Sequence, residues 1–184
     1  MAQTREMILD GIADARNEQS IVKPYLMSHG TMEVYSLKES RKFYEEFLGL
    51  ECVRHAKPAI AVRCGLKFHI IAVEAGAALK PVNVLNHWGI DVGSREEVDA
   101  AHASALEHKD KYKIRQVLPV VMQHGVYSFC VYSFYMEDLD HNWWEIQYYP
   151  GLQNEDLFDF GDRFSMQDGA EVGELQELAV KSST

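Results

Sequence analysis

The chain repeats itself, and the repeat limits the folds open to it. An apolar run that starts with histidine, "HGTMEVYSL" from His29, has a counterpart in "HWGIDVGS" from His87. Each run leads into a Ser-x-x-Glu sequence, Ser36 to Glu39 and Ser94 to Glu97, the signature of a helix capping box. After the first box, Leu37, Ser40, Phe43, Tyr44, Phe47 and Leu48 trace the buried face of a helix. Gly49 is placed for its C-terminal turn. A strand over 26–35 precedes this helix, and strands near 50–55, 59–64 and 67–74 follow it. The second copy predicts a strand over about 85–92, a helix in "SREEVDAAHASALEHKD", and strands near 114–122, 126–136 and 142–149. Each copy therefore reads strand–helix–strand–strand–strand, over about 25–76 and 84–150. The expected class is α+β.

The ends are different in kind. Residues 1–24 read as a helical N-terminal extension with a weak apolar stripe of Met7, Ile8 and Ile12, closed by Pro24. Residues 151–184 form an acidic C-terminal extension with one helical segment, "VGELQELAVK". Both are expected to cover the core or to make a contact in a homo-oligomer.

An apolar fraction of 47% is enough for a packed core. The net charge of −10 argues against nucleic acid or an anionic membrane as partner, because both are polyanions. No run of about 18 apolar residues is present to span a bilayer, and the acidic N-terminus lacks the apolar segment of a secretory signal. Cys52, Cys64 and Cys130 are odd in number and unpaired in spacing, so they read as free thiols in a reducing cytoplasm rather than zinc ligands.

The candidate chemistry lies in His29, His87 and Glu145. His87 follows His29 by 58 residues, and Glu145, in "WWEIQYY", follows His87 by another 58. Two imidazoles and one carboxylate make a facial triad, the ligand set of a non-heme ferrous site with open coordination positions. Any one histidine on an apolar strand is more often structural than a ligand. The carboxylate weighs the other way: Glu145 sits between Trp144 and Ile146 on a strand expected to be interior. Burying it uncompensated costs several kcal/mol or a pKa shift of about 3–5 units, and a divalent cation is one source of compensation. Strand alternation puts Glu145, Gln147 and Tyr149 on one face, away from Trp144, Ile146 and Tyr148.

Two such units, histidines on both first strands and a glutamate on the last, resemble the vicinal oxygen chelate superfamily of glyoxalases, fosfomycin and bleomycin resistance proteins and type I extradiol dioxygenases. The resemblance covers about residues 25–150. "SLKESRKFYEEFLGLE" is similar to that family's first helix, and "MEDLDHNWWEIQ" to its turn into the ligand strand, with Leu139 and His141 in place of the usual Pro and Gly. The resemblance implies a half-open barrel built from the paired units, with a metal in its cleft held by His29, His87 and Glu145.

Glyoxalase-type members need a fourth, carboxylate ligand on the last strand of the first unit. That strand is "KFHIIAVEA". Its candidate position carries His69 rather than a carboxylate, and Glu74 reaches the cleft only if the strand bulges, which lowers the glyoxalase reading. The second shell instead resembles the extradiol dioxygenases. Tyr135, in "SFYMEDLDHNWWE", corresponds to the tyrosine that hydrogen-bonds substrate, His69 to the acid–base histidine, and His124 to the other active-site histidine. The duplicated "VYSF" at 126–129 and 131–134 lengthens the interval between His124 and Tyr135.

The implied activity is ring cleavage of a catecholic aromatic compound by O₂ on Fe(II). Open ferrous positions would accept a chelating catecholate and O₂, a neutral histidine can move its proton, and a phenol can orient it. The familiar extradiol enzymes carry four such units, so this chain matches their catalytic half. Two alternatives stand. One is a lyase, isomerase or thiol transferase of the glyoxalase or fosfomycin-resistance kind, using Mn, Ni or Zn. The other is a non-catalytic protein that sequesters an aromatic drug. His69 also reads as a core histidine, His124 as solvent-exposed and Tyr135 as packing. His102 and His108 are expected on a solvated helix face.

Overall fold

The computed structural model describes residues 21, 27–65, 68–124 and 130–148. The expected extensions, apart from residue 21, lie outside these residues, as do Tyr127, Phe129 and Tyr149. The chain divides into two compact units with the boundary between Leu79 and Lys80.

In the first unit, β1 (His29–Val34) is followed by α1 (Leu37–Lys42), which continues as a wider π-type turn over Phe43–Phe47. Strands β2 (Glu51–Ala56), β3 (Ala59–Arg63) and β4 (His69–Glu74) complete one sheet in the order β1-β4-β3-β2. β1 and β4 are parallel; the other pairs are antiparallel. Alternation explains the layering. Met32 and Val34 of β1 and Ala72 of β4 are buried beside Leu37, Ser40, Phe43 and Tyr44, while His29, Thr31 and Glu33 occupy the other face. The buried Ser40 hydroxyl is satisfied locally by donating to the Ser36 carbonyl at 2.7 Å. Gly49, at φ +69°, ends the helix in the left-handed conformation, and the Leu50 amide folds back onto the Tyr44 carbonyl at 2.9 Å, closing the wide turn.

The second unit repeats the plan. β5 (His87–Asp91) leads to α2 (Arg95–Glu107) and a short α3 (Lys109–Tyr112). β6 (Gln116–Val117), β7 (Val121–His124), β8 (Cys130–Glu137) and β9 (Trp143–Tyr148) follow. The sheet runs β5-β9-β8-β6, with β7 also on β8, and again only first and last strands pair in parallel. Val98 and Ala105 of α2 are fully buried, as are Phe134, Met136 and Trp144 of the sheet. The repeat is therefore real: both units follow a βαβββ plan, the second with the strand after its helices split into β6 and β7.

Three expectations need correction. The stretch expected as one strand over 114–122 is two. Register on β8 changes from Val117 opposite Met136 to Val121 opposite Ser133, an insertion of one residue. Pro119 lies at the break and has no N–H to give to the ladder. Of the two capping boxes, only the second forms. Ser94 Oγ accepts from the Glu97 amide at 3.2 Å, and Glu97 reaches back to the Gly93 amide at 2.6 Å. Ser36 makes no side-chain cap; the Leu37 amide donates to Glu74 across the sheet at 3.0 Å instead. His102 and His108 are half-buried and bonded rather than fully solvated. His102 Nε2 meets the Leu118 carbonyl at 3.1 Å and its ring stands edge-on to Phe134, while His108 Nδ1 meets the Ser104 carbonyl at 3.1 Å.

Ser94→Ala is expected to cost about 1 kcal/mol, the usual value of an N-cap side chain. Ser36→Ala removes no cap bond and is expected to stay within about 0.5 kcal/mol of the parent. Urea unfolding of the two variants measures the difference directly.

Candidate metal centre

Each first-strand histidine lies seven residues before its helix cap, His29 before Ser36 and His87 before Ser94, so the two are structural counterparts. In the second unit β9 runs parallel beside β5, with His87 opposite Trp143 and Gly89 opposite Glu145. On the other side of β9, Tyr135 of β8 is opposite Glu145. His87, Ser133, Tyr135 and Glu145 therefore share the sheet face away from α2.

Their contacts are close. His87 Nε2 lies 3.3 Å from Glu145 Oε2. The Tyr135 and Ser133 hydroxyls also hydrogen-bond to the Glu145 carboxylate, and the Tyr135 ring stands edge-on to His87, with centroids 5.0 Å apart. Ser133 is fully buried. Sequence reading missed it, although its position two residues before Tyr135 on the same strand was the available signal.

The backbone also sets His87. An Asx turn, in which the Leu85 amide donates to Asn83 Oδ1 at 3.0 Å, shapes the loop before β5. That loop presents the Val84 carbonyl to His87 Nδ1 at 2.7 Å. A carbonyl only accepts, so Nδ1 carries a proton and Nε2 is the atom facing Glu145.

The electrostatics follow. Burial alone would push the Glu145 carboxyl up, but hydrogen bonds from His87, Ser133 and Tyr135 outweigh it and hold the group below its ordinary value. The Glu145 hydrogen bond raises the His87 imidazole; burial opposes this, while the Val84 bond and the Glu145 charge add to it. Both shifts describe one imidazolium–carboxylate pair. A divalent ion could replace the proton on Nε2 and meet the same carboxylate, so this donor pair fits a metal whose binding releases a proton. Within neither unit, among the described residues, do three His, Cys, Asp or Glu side chains gather as one ligand set.

The third candidate ligand, His29, belongs to the first unit. It is exposed, and its Nδ1 lies 2.8 Å from Ser28 Oγ. His69 stands directly opposite it on β4, with the two rings stacked at 5.7 Å. Register corrects the place given to His69. Because His29 corresponds to His87, the counterpart of Trp143 is His69, and the counterpart of Glu145 is Ile71, opposite Thr31. The first-unit position equivalent to Glu145 is thus occupied by a buried isoleucine. Glu74 does not substitute for it. β4 shows no register break against either neighbour, and the Glu74 carboxylate caps α1.

His124 does not enter the strand that carries Tyr135. It ends β7, opposite Cys130, and the insertion near Pro119 puts that register position out of phase with Tyr135. A one-residue slip reverses strand phase, which spacing in the sequence did not reveal. Cys52 is a packing residue: burial pushes its thiol up to about 11.

The turn into β9 is held by Asp138. Its Oδ1 accepts from the Asp140 and Asn142 amides at 2.8 and 2.9 Å, and its Oδ2 from Trp144 Nε1 at 3.0 Å. Burial and the Asp140 carboxylate push Asp138 from 3.8 up to about 7, against the pull of these three donors. The folded chain thus binds this proton more tightly than the unfolded chain. The resulting stability is complete below about pH 4 and is lost as the pH rises through about 7. Asp138→Asn is expected to flatten that part of the profile. Urea unfolding of both proteins at pH 4.5 and 7.5 checks it; equal changes in the two would refute the assignment.

No protein-family model and no curated protein sequence matches this chain. Solved structures do. A possible glyoxalase from Bacillus cereus aligns over 67% of this chain and 98% of its own, with 20% identity and a TM-score of 0.52. The fosfomycin resistance protein FosX from Listeria monocytogenes aligns over 68% of this chain and 94% of its own, with 21% identity and a TM-score of 0.52. A second FosX crystal structure, complexed with Mn(II) and sulfate, aligns over 68% and 91%, with 19% identity and a TM-score of 0.52. At these identities the likeness is one of architecture: the chain has the glyoxalase-type fold, an α+β arrangement of repeated βαβββ units.

Proposed function

We propose that this chain is a metal-dependent extradiol-type dioxygenase that cleaves the ring of a catecholic aromatic compound with O₂. The observation that carries the reading is the Tyr135–Glu145–His87 cluster. A phenol contacts both a candidate carboxylate ligand and a candidate imidazole ligand. Fe(II) is the proposed metal, with His87, Glu145 and, from the sequence, His29 as ligands. A metal held there would supply Lewis-acid activation of a catechol hydroxyl and a redox centre for O₂.

The protein groups have separate tasks. Glu145 supplies negative charge at a buried point where water cannot. The Val84 carbonyl keeps His87 in the tautomer that offers Nε2. Tyr135, whose hydroxyl now donates to Glu145, can redirect that proton to a substrate oxygen and orient it. His69, stacked on His29, is the proposed proton carrier. His124 has no part in this scheme.

A second reading draws on the fold neighbours. A lyase, isomerase or thiol transferase of the glyoxalase or fosfomycin-resistance kind would use a metal such as Mn(II), the ion in one FosX structure. The glyoxalase version has less support, because Ile71 and Glu74 leave its extra carboxylate unfilled.

Protein loaded anaerobically with Fe(II) is expected to consume O₂ with catechols and release a yellow ring-fission product. His87→Ala should lose the metal by elemental analysis. His69→Asn should keep it and turn over on the order of a hundredfold more slowly. Absence of turnover across a broad catechol panel, together with Mn(II)-dependent loss of fosfomycin, would transfer the assignment to the second reading.

A further inference from the structure

His141 occupies a backbone position that most side chains avoid. Its φ is +64°, in the left-handed region where a Cβ is unfavourable and glycine is the low-cost residue. The turn gives it one bond, from its amide to the Asp138 carbonyl at 3.3 Å, which glycine would make equally well. The side chain must therefore account for the histidine, and strain of this kind points to function when it lies beside a site. His141 lies four residues before Glu145.

The side chain is oriented. His141 Nδ1 lies 2.6 Å from Glu137 Oε1, and both side chains are partly buried. An ionised carboxylate only accepts, so Nδ1 carries a proton, and the neutral form of the ring offers its lone pair at Nε2. Among the described residues, Nε2 has no hydrogen-bond partner. Glu137 holds the ring on the relevant side. It stands two residues after Tyr135 on β8, so it shares the face of Tyr135 and Glu145, about 7 Å further along the strand. It is also opposite Trp143, which is opposite His87, so one row across three strands has His87 at one end and Glu137 at the other.

We infer that Glu137 and His141 form a proton-accepting dyad for a phenolic hydroxyl bound beside His141, at the edge of the sheet face that carries Tyr135 and Glu145. The substrate O–H bond breaks and an N–H bond forms at His141 Nε2. The products are a phenolate and an imidazolium that Glu137 holds through Nδ1. Glu137 is a positioning residue. The inference rests on the proposed aromatic substrate but not on a metal, and the two can fail separately.

The test uses 4-nitrophenol, which has a single hydroxyl and whose phenolate is yellow, added at pH 6 to the full chain without metal. The wild type is expected to bind it with a phenolate signal. His141→Gly should melt no lower than the wild type, because glycine accepts the turn's φ, and should lose the phenolate fraction by about tenfold, one pK unit. Added imidazole should restore it. Glu137→Gln should weaken the signal with His141 still in place. No phenolate in the wild type, an unchanged signal in His141→Gly, or a loss that imidazole does not restore would each overturn the dyad. Metal uptake by the wild type, measured separately, reports on the proposed function alone.

Discussion

The second unit is arranged around one buried charge. Glu145 is 8% exposed, and an uncompensated carboxylate at such a point costs several kcal/mol or gives up its charge, with shifts of about 3–5 units. Here it remains ionised below its ordinary range because three donors reach it. None of them comes from its own strand: His87 is on β5, and Ser133 and Tyr135 are on β8. Compensation is therefore a property of strand register. A slip of one residue would turn Glu145 towards the helix layer and remove all three donors at once.

The turn before β9 protects that register. Asp138 gathers two amides of its own turn and also the indole N–H of Trp144, the residue next to Glu145. Trp144 faces the helix layer and is almost fully buried, so the same carboxylate links the turn to the core. The alternation that buries Trp144 and Ile146 leaves Glu145 on the other face. Packing of the apolar side and placement of the carboxylate are one constraint seen from two faces of a strand.

That constraint was legible in the sequence, because alternation in "WWEIQYY" and repeated strand–helix runs are local patterns. What could not be read was the pairing between strands. Ser94 and Ser36 carry the same capping signature, yet Glu74, on the neighbouring strand β4 and 37 residues on from the Leu37 amide it caps, supplants Ser36, and no local pattern records that. His69 occupies a plausible site by counting along its strand, but register makes Ile71 the counterpart of Glu145. Pro119 was visible as a breaker, while the phase change it brings to His124 appears only against β8. His102 sits among charged residues on α2, and its bond to the Leu118 carbonyl is a tertiary contact.

The comparison of units also separates what the repeat preserves from what it lets go. Both units keep a histidine at the start of the first strand, and both place a hydrogen-bond partner on its Nδ1, Ser28 Oγ in one and the Val84 carbonyl in the other. Only one unit keeps a carboxylate at the paired position; the other has isoleucine. The partners differ in a way that matches this asymmetry. A carbonyl fixes the tautomer of His87, which faces a buried charge, whereas a hydroxyl can donate or accept and leaves the exposed His29 free to take either tautomer. The unit that must stabilise a buried anion has the rigid arrangement, and the unit without one has kept only the imidazole and an adjustable contact.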